Sequence, residues 1–149
     1  MNPITTDHLS IVVPLYNEED NVVLLTEKIH ESLNGYSYEI IYIDDFSKDK
    51  TRKVVKDMAD EQVHLIELKK NYGQSLALAA GIDHASGEYI ITMDGDLQND
   101  PSDIPQMLKH AVSGEYDVVT GIRQKRKDSL VKKIPSKIAN FLVRRVTQL

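Results

Sequence analysis

Short apolar runs alternate with stretches of helical periodicity along most of this chain, and that alternation leaves few folds open. Leu9–Val13 is a near-continuous apolar run ended by Pro14, the pattern of a strand buried on both faces of a parallel sheet. Tyr38–Ile43, Val63–Leu68, Tyr89–Met93 and Asp117–Gly121 read as four further strands, being short, rich in β-branched or aromatic residues and bounded by turn signals. Between them the period changes. Val22, Leu25, Ile29 and Leu33 recur at helical spacing until Asn34-Gly35 stops the helix, and Thr51, Val54, Val55 and Met58 form a second such face. Ser75 as N-cap opens an alanine-rich helix through Ala85, in which Ala77, Ala79, Ala80 and Gly81 allow close approach to a neighbour. Asp100 as N-cap and Pro101 at the first helical position start another, with Ile104, Met107, Leu108 and Ala111 as its buried face. Strand-helix alternation of this kind predicts an α/β three-layer sandwich with a mostly parallel, Rossmann-like sheet covered on both faces.

The chain length, 149 residues, suits one domain with a real core, and 41% apolar with 28% charged residues fits a globular protein. With no cysteine there is no disulfide framework, thiolate metal site or thiol nucleophile. The histidines at 8, 30, 64, 84 and 110 never fall at zinc-ligand spacing. No signal-peptide pattern and no run of about 18 apolar residues is present, so this sequence is expected to span no membrane. The net charge of -5 hides an asymmetry. Residues 123–149 carry nine basic side chains and one acid, a net +8, which leaves -13 on residues 1–122. The division predicts a core over 1–122 and a basic tail over 123–149 that meets an anionic partner. In the tail Leu130, Ile134, Ile138, Phe141 and Leu142 stand at helical spacing among lysines and arginines, interrupted by Pro135. Such a helix either packs on the domain with a solvated basic face or meets a membrane or another segment.

Acidic and polar clusters follow three of the strands: Tyr16-Asn17-Glu18, Asp44-Asp45 and Asp94-Gly95-Asp96-Leu97-Gln98. In a parallel sheet all three lie at the C-terminal edge, where ligands of open α/β sheets bind. Asp-Gly-Asp alone is equally ordinary turn chemistry. Together, so many carboxylates repel one another unless a cation or hydrogen-bond donors join them. Two carboxylates and an amide oxygen within five residues suit a hard cation such as Mg²⁺ or Mn²⁺, with coordination positions left for water and phosphate oxygens. A metal-bound diphosphate fits, with Asp45 free to accept from ribose hydroxyls or base N–H groups. Neither a P-loop nor Gly-x-Gly-x-x-Gly is present, so the cation has to do the work of a phosphate cradle.

Five segments carry a family resemblance: Ile11–Glu19 (IVVPLYNEE), Ile43–Thr51 (IDDFSKDKT), Lys70–Gln74 (KNYGQ), Gly81–Gly87 (GIDHASG) and Met93–Gln98 (MDGDLQ). Their combination resembles glycosyltransferase family 2 and, within it, the dolichyl- and polyprenyl-phosphate glycosyltransferases, from about Leu9 to beyond Arg123. The resemblance implies a GT-A fold, of which this chain is the N-terminal part of the catalytic domain, truncated at its C-terminal side. It implies a UDP- or GDP-sugar donor, with Pro14, Tyr16, Glu18, Ile43 and Asp45 lining the nucleoside pocket and Gly95 beside the ribose. Asp94, Asp96 and Gln98 then hold Mg²⁺ or Mn²⁺ on the diphosphate, with Asp96 central to catalysis. Arg123 matches an arginine near the donor and acceptor phosphates, and Lys132, Lys133 and Ser136 lie where the family binds the lipid phosphate. The family's aspartate-aspartate-glycine-serine turn appears with Phe46 in place of glycine.

The implied reaction is an inverting, metal-dependent displacement at the anomeric carbon. An acceptor phosphate is already anionic and attacks without a general base, whereas a sugar hydroxyl needs one. The expected activity is transfer of a sugar to polyprenyl or dolichyl phosphate by a cytoplasmic protein peripheral to the inner face of a membrane. Transfer to a saccharide hydroxyl and a non-catalytic nucleotide-sugar-binding fragment stand as alternatives. A nucleic-acid partner is disfavoured, because -13 on the first 122 residues repels a phosphate backbone.

Overall fold

The computed structural model describes residues 8–114 and 116–121. Its strands and helices lie in the compact unit Met1–Val119. They run β1 (Leu9–Leu15), α1 (Val22–Ser32), β2 (Tyr38–Asp44), α2 (Thr51–Met58), β3 (Val63–Glu67), α3 (Gln74–His84) and β4 (Tyr89–Thr92). A short 3₁₀ turn, Pro101–Asp103, then leads into α4 (Ile104–Gly114). The sheet has the order β3-β2-β1-β4 with every pairing parallel. The strand-helix alternation therefore produces the parallel α/β sandwich it predicts.

The two central strands are apolar throughout because both of their faces are covered. On one face Leu9, Ile11, Val13 and Leu15 of β1 and Ile40 and Tyr42 of β2 meet Val22, Leu25 and Ile29 of α1, Val55 of α2, and Ile104 and Leu108 of α4. On the other, Val12, Ile41 and Ile43 meet Ala77 of α3. Each such aliphatic side chain contributes roughly 1.5–3 kcal/mol on burial. A Cβ on Gly81 would stand 2.5 Å from Ile43 Cδ1 and Val12 Cγ1, so the small residues of α3 do set its close approach to the sheet.

Three local expectations change. Helix α3 starts at Gln74, with Gly73 (φ 88°) at the N-cap and Ser75 inside the first turn. The physical reason lies elsewhere in the chain. Asp45 accepts the N–H groups of Tyr72 and Gly73 at 2.7 and 2.8 Å, putting a carboxylate at the positive end of the helix, where the sequence predicts Ser75. On α4, Met107 and Ala111 are only half-buried, and Ile104 and Leu108 carry the packing. Finally, Asp117–Gly121 joins no ladder among the described residues, and Val118 is 77% exposed. Among the described residues it has no paired strand to take up its backbone N–H and C=O groups.

At the N-terminal edge of the sheet one carboxylate ties the strands together. Glu39 Oε1 accepts from Ser10 Oγ at 2.7 Å, Ser86 N–H at 2.9 Å and Ser86 Oγ at 2.7 Å. Ser10 Oγ in turn accepts the Gly87 N–H at 2.8 Å. His8 and His64 stand 3.9 and 3.7 Å from the same carboxylate. Burial on its own would raise the Glu39 carboxyl; the hydrogen bonds from Ser10 and Ser86 outweigh it and hold the group below the ordinary range.

Candidate functional site

The opposite edge is open because β1 stops pairing on one side. Met93 N–H donates to the carbonyl of Val12, and Asp45 N–H to that of Leu15. Backbone groups alternate sides along a strand, so Pro14 faces β4. Its missing N–H ends that ladder. The chain leaves the sheet at Met93 and crosses Asp94-Gly95-Asp96 at the rim.

There a cavity of about 250 Å³ collects residues from four parts of the chain. Pro14, Leu15, Tyr16 and Glu18 come from the end of β1 and its loop, and Asp45 from the end of β2. Gln74 comes from the first turn of α3, and Asp94, Gly95 and Asp96 follow β4. Glu18, Asp45, Asp94 and Asp96, from three strand ends, thus meet in one place, while Asp44 turns away to Arg52. Gly95 packs closely on the end of β1: a Cβ there would sit 2.5 Å from Leu15 Cδ2.

Among the described residues, the three non-glycine residues with positive φ are Asn17 (58°), Phe46 (66°) and Leu97 (60°), one in each loop that builds this rim. Each such conformation costs about 1–2 kcal/mol, and strain of this kind gathers at functional sites. At Phe46 the ring lies under Lys48 Nζ, 3.5 Å from its centroid, and Arg52 Cζ at 5.5 Å, which offsets part of that cost. Arg52 also binds buried Asp44 (Nε to Oδ2, 3.2 Å) and the Ser47 carbonyl at 2.8 Å, fixing the turn.

Three of the expected site residues meet a different geometry in the fold. Asp45 lines the cavity, but each of its two oxygens already accepts one bond, from Tyr72 and Gly73, and the residue is only 4% exposed. Ile43 is fully buried against Ala77 and does not line the cavity. Gln98 is exposed and also absent from the lining; its backbone N–H donates to Asp96 Oδ1 at 3.0 Å. The amide that does reach the cavity is Gln74, which donates to Asp94 Oδ1 at 2.6 Å. Gln74 stands within the Lys70–Gln74 motif, but nothing local in the sequence reveals a hydrogen bond spanning 20 residues. Arg123, Lys132, Lys133 and Ser136 lie outside the described residues.

The donor set can be tested against a cation on chemistry alone. Among the described residues no group of three or more His, Cys, Asp or Glu side chains is arranged to hold an ion unaided. Asp94 and Asp96 each spend one oxygen on Gln74 or Gln98 and keep the other without a hydrogen bond among the described residues. Two hard oxygen ligands fit a Mg²⁺-like ion that keeps most positions for water and phosphate oxygens. They do not fit a closed structural site.

The glycosyl transferase family 2 model matches residues 10–148. The chain belongs to glycosyltransferase family 2. It is 42% identical over 98% of its length to a dodecaprenyl-phosphate galacturonate synthase of Rhizobium johnstonii. It is 41% identical over 94% of its length to an undecaprenyl-phosphate 4-deoxy-4-formamido-L-arabinose transferase of Pectobacterium carotovorum. The chain spans only 45% and 44% of those two relatives. Among solved structures, the mannosyltransferase PcManGT of Pyrobaculum calidifontis, in complex with GDP-Man and Mn²⁺, superposes with a TM-score of 0.61 at 25% identity. That match covers 80% of this chain and 35% of PcManGT. TarS of S. aureus, in complex with UDP, gives a TM-score of 0.63 at 18% identity over 82% of this chain and 38% of TarS, a likeness of fold. The sheet and its helices are those of the GT-A fold. In this family 2 chain the glycine of the aspartate-aspartate-glycine-serine turn is Phe46, and its φ of 66° explains why glycine suits the position.

Proposed function

We propose that the chain carries the donor-binding part of an inverting glycosyltransferase that moves a sugar from a UDP- or GDP-sugar to polyprenyl phosphate. The observation that carries this reading is the meeting of Glu18, Asp45, Asp94 and Asp96 in one cavity beside Gly95, in a chain related to two polyprenyl-phosphate sugar transferases. Asp94 and Asp96 would hold Mg²⁺ or Mn²⁺, which supplies Lewis-acid neutralisation of the departing diphosphate. Gln74 orients Asp94 by occupying one of its oxygens. Gly95 keeps the space between the two acids open for ribose and diphosphate, while Pro14, Tyr16, Glu18 and Asp45 form the nucleoside side. An acceptor phosphate needs no base, in keeping with carboxylates that serve as ligands and hydrogen-bond acceptors.

The basic segment 123–149, with Arg123 near the phosphates and Lys132, Lys133 and Ser136 toward the acceptor, would draw the protein to the anionic cytoplasmic face of a membrane. Each lysine or arginine near such a surface contributes ~1 kcal/mol. Among the described residues no helix is long and apolar enough to cross a membrane. The test is an acceptor comparison with UDP- and GDP-sugars, polyprenyl phosphate against an oligosaccharide, each with Mn²⁺ and with chelator. Sugar on the lipid phosphate, lost with chelator, is the expected result. Transfer to the oligosaccharide alone overturns the acceptor assignment. Metal-dependent nucleotide binding without turnover identifies a non-catalytic binding unit instead.

A further inference from the structure

The loops that follow β1 and β2 are fastened to each other by hydrogen bonds between side chains of one and backbone of the other. Three consecutive N–H groups, of Asn17, Glu18 and Glu19, donate to Ser47 Oγ at 2.9 Å, Thr51 Oγ1 at 2.8 Å and Asp49 Oδ2 at 3.2 Å. The connection is reciprocal. Lys48 N–H donates to Asn17 Oδ1 at 2.8 Å, and Lys50 N–H to Glu19 Oε2 at 2.7 Å. Within the second loop Asp49 Oδ1 accepts the Thr51 hydroxyl at 2.6 Å and its N–H at 3.0 Å. Because that hydroxyl spends its hydrogen on Asp49, it can only accept from Glu18. Ser47 and Thr51 are 1% and 0% exposed, so water does not stand in for either partner.

This latch lies between cavity-lining residues. Tyr16 precedes it and Glu18 belongs to it on one loop, and Asp45 precedes it on the other. Each loop also turns through a left-handed non-glycine residue, Asn17 or Phe46, a conformation that persists only where its surroundings over-determine it. We propose that Ser47, Asp49 and Thr51 are positioning residues for the nucleotide, holding Tyr16 and Glu18 at the separation from Asp45 that the donor requires. The inference rests on the donor-binding reading above. None of the three lines the cavity, so each acts through the loop it holds.

The test is titration of UDP and GDP with Mn²⁺, well below the melting temperature, into the unaltered chain and four variants. Thr51→Val removes the acceptor for Glu18, and Thr51→Ser keeps it. Asp49→Ser keeps an oxygen for the Thr51 N–H but is too short for the Glu19 N–H. Glu39→Gln perturbs the other edge of the sheet and controls for loss of stability. Thr51→Val and Asp49→Ser are expected to weaken binding about tenfold, since small displacements of a binding group carry penalties of that order or larger. Thr51→Ser and Glu39→Gln should stay within about twofold of the unaltered chain. Affinity in Thr51→Val and Asp49→Ser unchanged from that of the unaltered chain overturns the inference. So does an equal loss in Glu39→Gln, which would mean that binding merely tracks stability. If the unaltered chain binds neither nucleotide, the donor-binding reading itself fails and the latch loses its purpose.

Discussion

The two edges of one sheet differ in what their carboxylates hold: Asp44 and Asp45 tie loops at the C-terminal edge, but Asp94 and Asp96 beside them do not have that many donors. At the N-terminal edge a single buried acid, Glu39, has Oε1 filled by three hydrogen bonds from Ser10 and Ser86. At the C-terminal edge Asp94 and Asp96 crowd around a cavity, each with an oxygen uncommitted among the described residues. Backbone conformation follows the same division. Asn17, Phe46 and Leu97, all left-handed, belong to loops of the second edge. An acid held by three donors ties strands of the fold together, whereas Asp94 and Asp96, with one donor each and strained backbone nearby, are placed to meet a further group.

That contrast can be broken by exchanging what each edge loses. Asp96→Asn should weaken nucleoside-diphosphate binding in Mn²⁺ by at least about 100-fold, because even outer-shell partners of a metal are worth ~10–100-fold. Its melting temperature should hardly move, and calorimetric titration with Mn²⁺ against chelator checks the first half. Equal binding in both conditions would refute the metal assignment. Glu39→Ala should do the reverse. It leaves Ser10 and Ser86 without their acceptor, should lower stability by about 2 kcal/mol in urea unfolding, and should leave nucleotide affinity alone.

Acid sharpens the same comparison. The Glu39 carboxyl lies below its usual value of 4.5 in the folded protein, so its contribution is complete above that pH. It fades as pH falls through the lower, folded value, because the unfolded chain then binds the proton more readily. Melting temperature recorded from pH 7 downward should begin to drop below about 4.5, and Glu39→Gln should flatten that part of the curve. The smallest effect is expected at Phe46. With a φ of 66° there, Phe46→Gly should be more stable than Phe46→Ala by about 1 kcal/mol, read as the difference between two melting curves.

How much of this could be read from the sequence depends on what each residue answers to. Leu9–Val13 and Tyr38–Ile43 announce themselves as strands because both of their faces are buried, and no amphipathic compromise blurs the run. The acids of the site are legible for a related reason: strand ends in a parallel sheet share an edge, so Glu18, Asp45 and Asp94 must be neighbours. Ser75 misleads because capping signals are local, and here a distant carboxylate, Asp45, takes over the work. Gln74 escapes notice for the same reason. Asp117–Gly121 has the composition of a strand, but a strand exists only with a partner.

The proline at position 14 gives the mouth of the cavity an unusual permanence. Packing can relax and side chains can rotate, but an absent hydrogen cannot be restored by any motion of the fold. Were Pro14→Val made, β1 and β4 should zip two residues further, drawing Met93 and Asp94 into the ladder and sealing the opening from behind. The entrance is thus written into the covalent chain, before any ligand has a say.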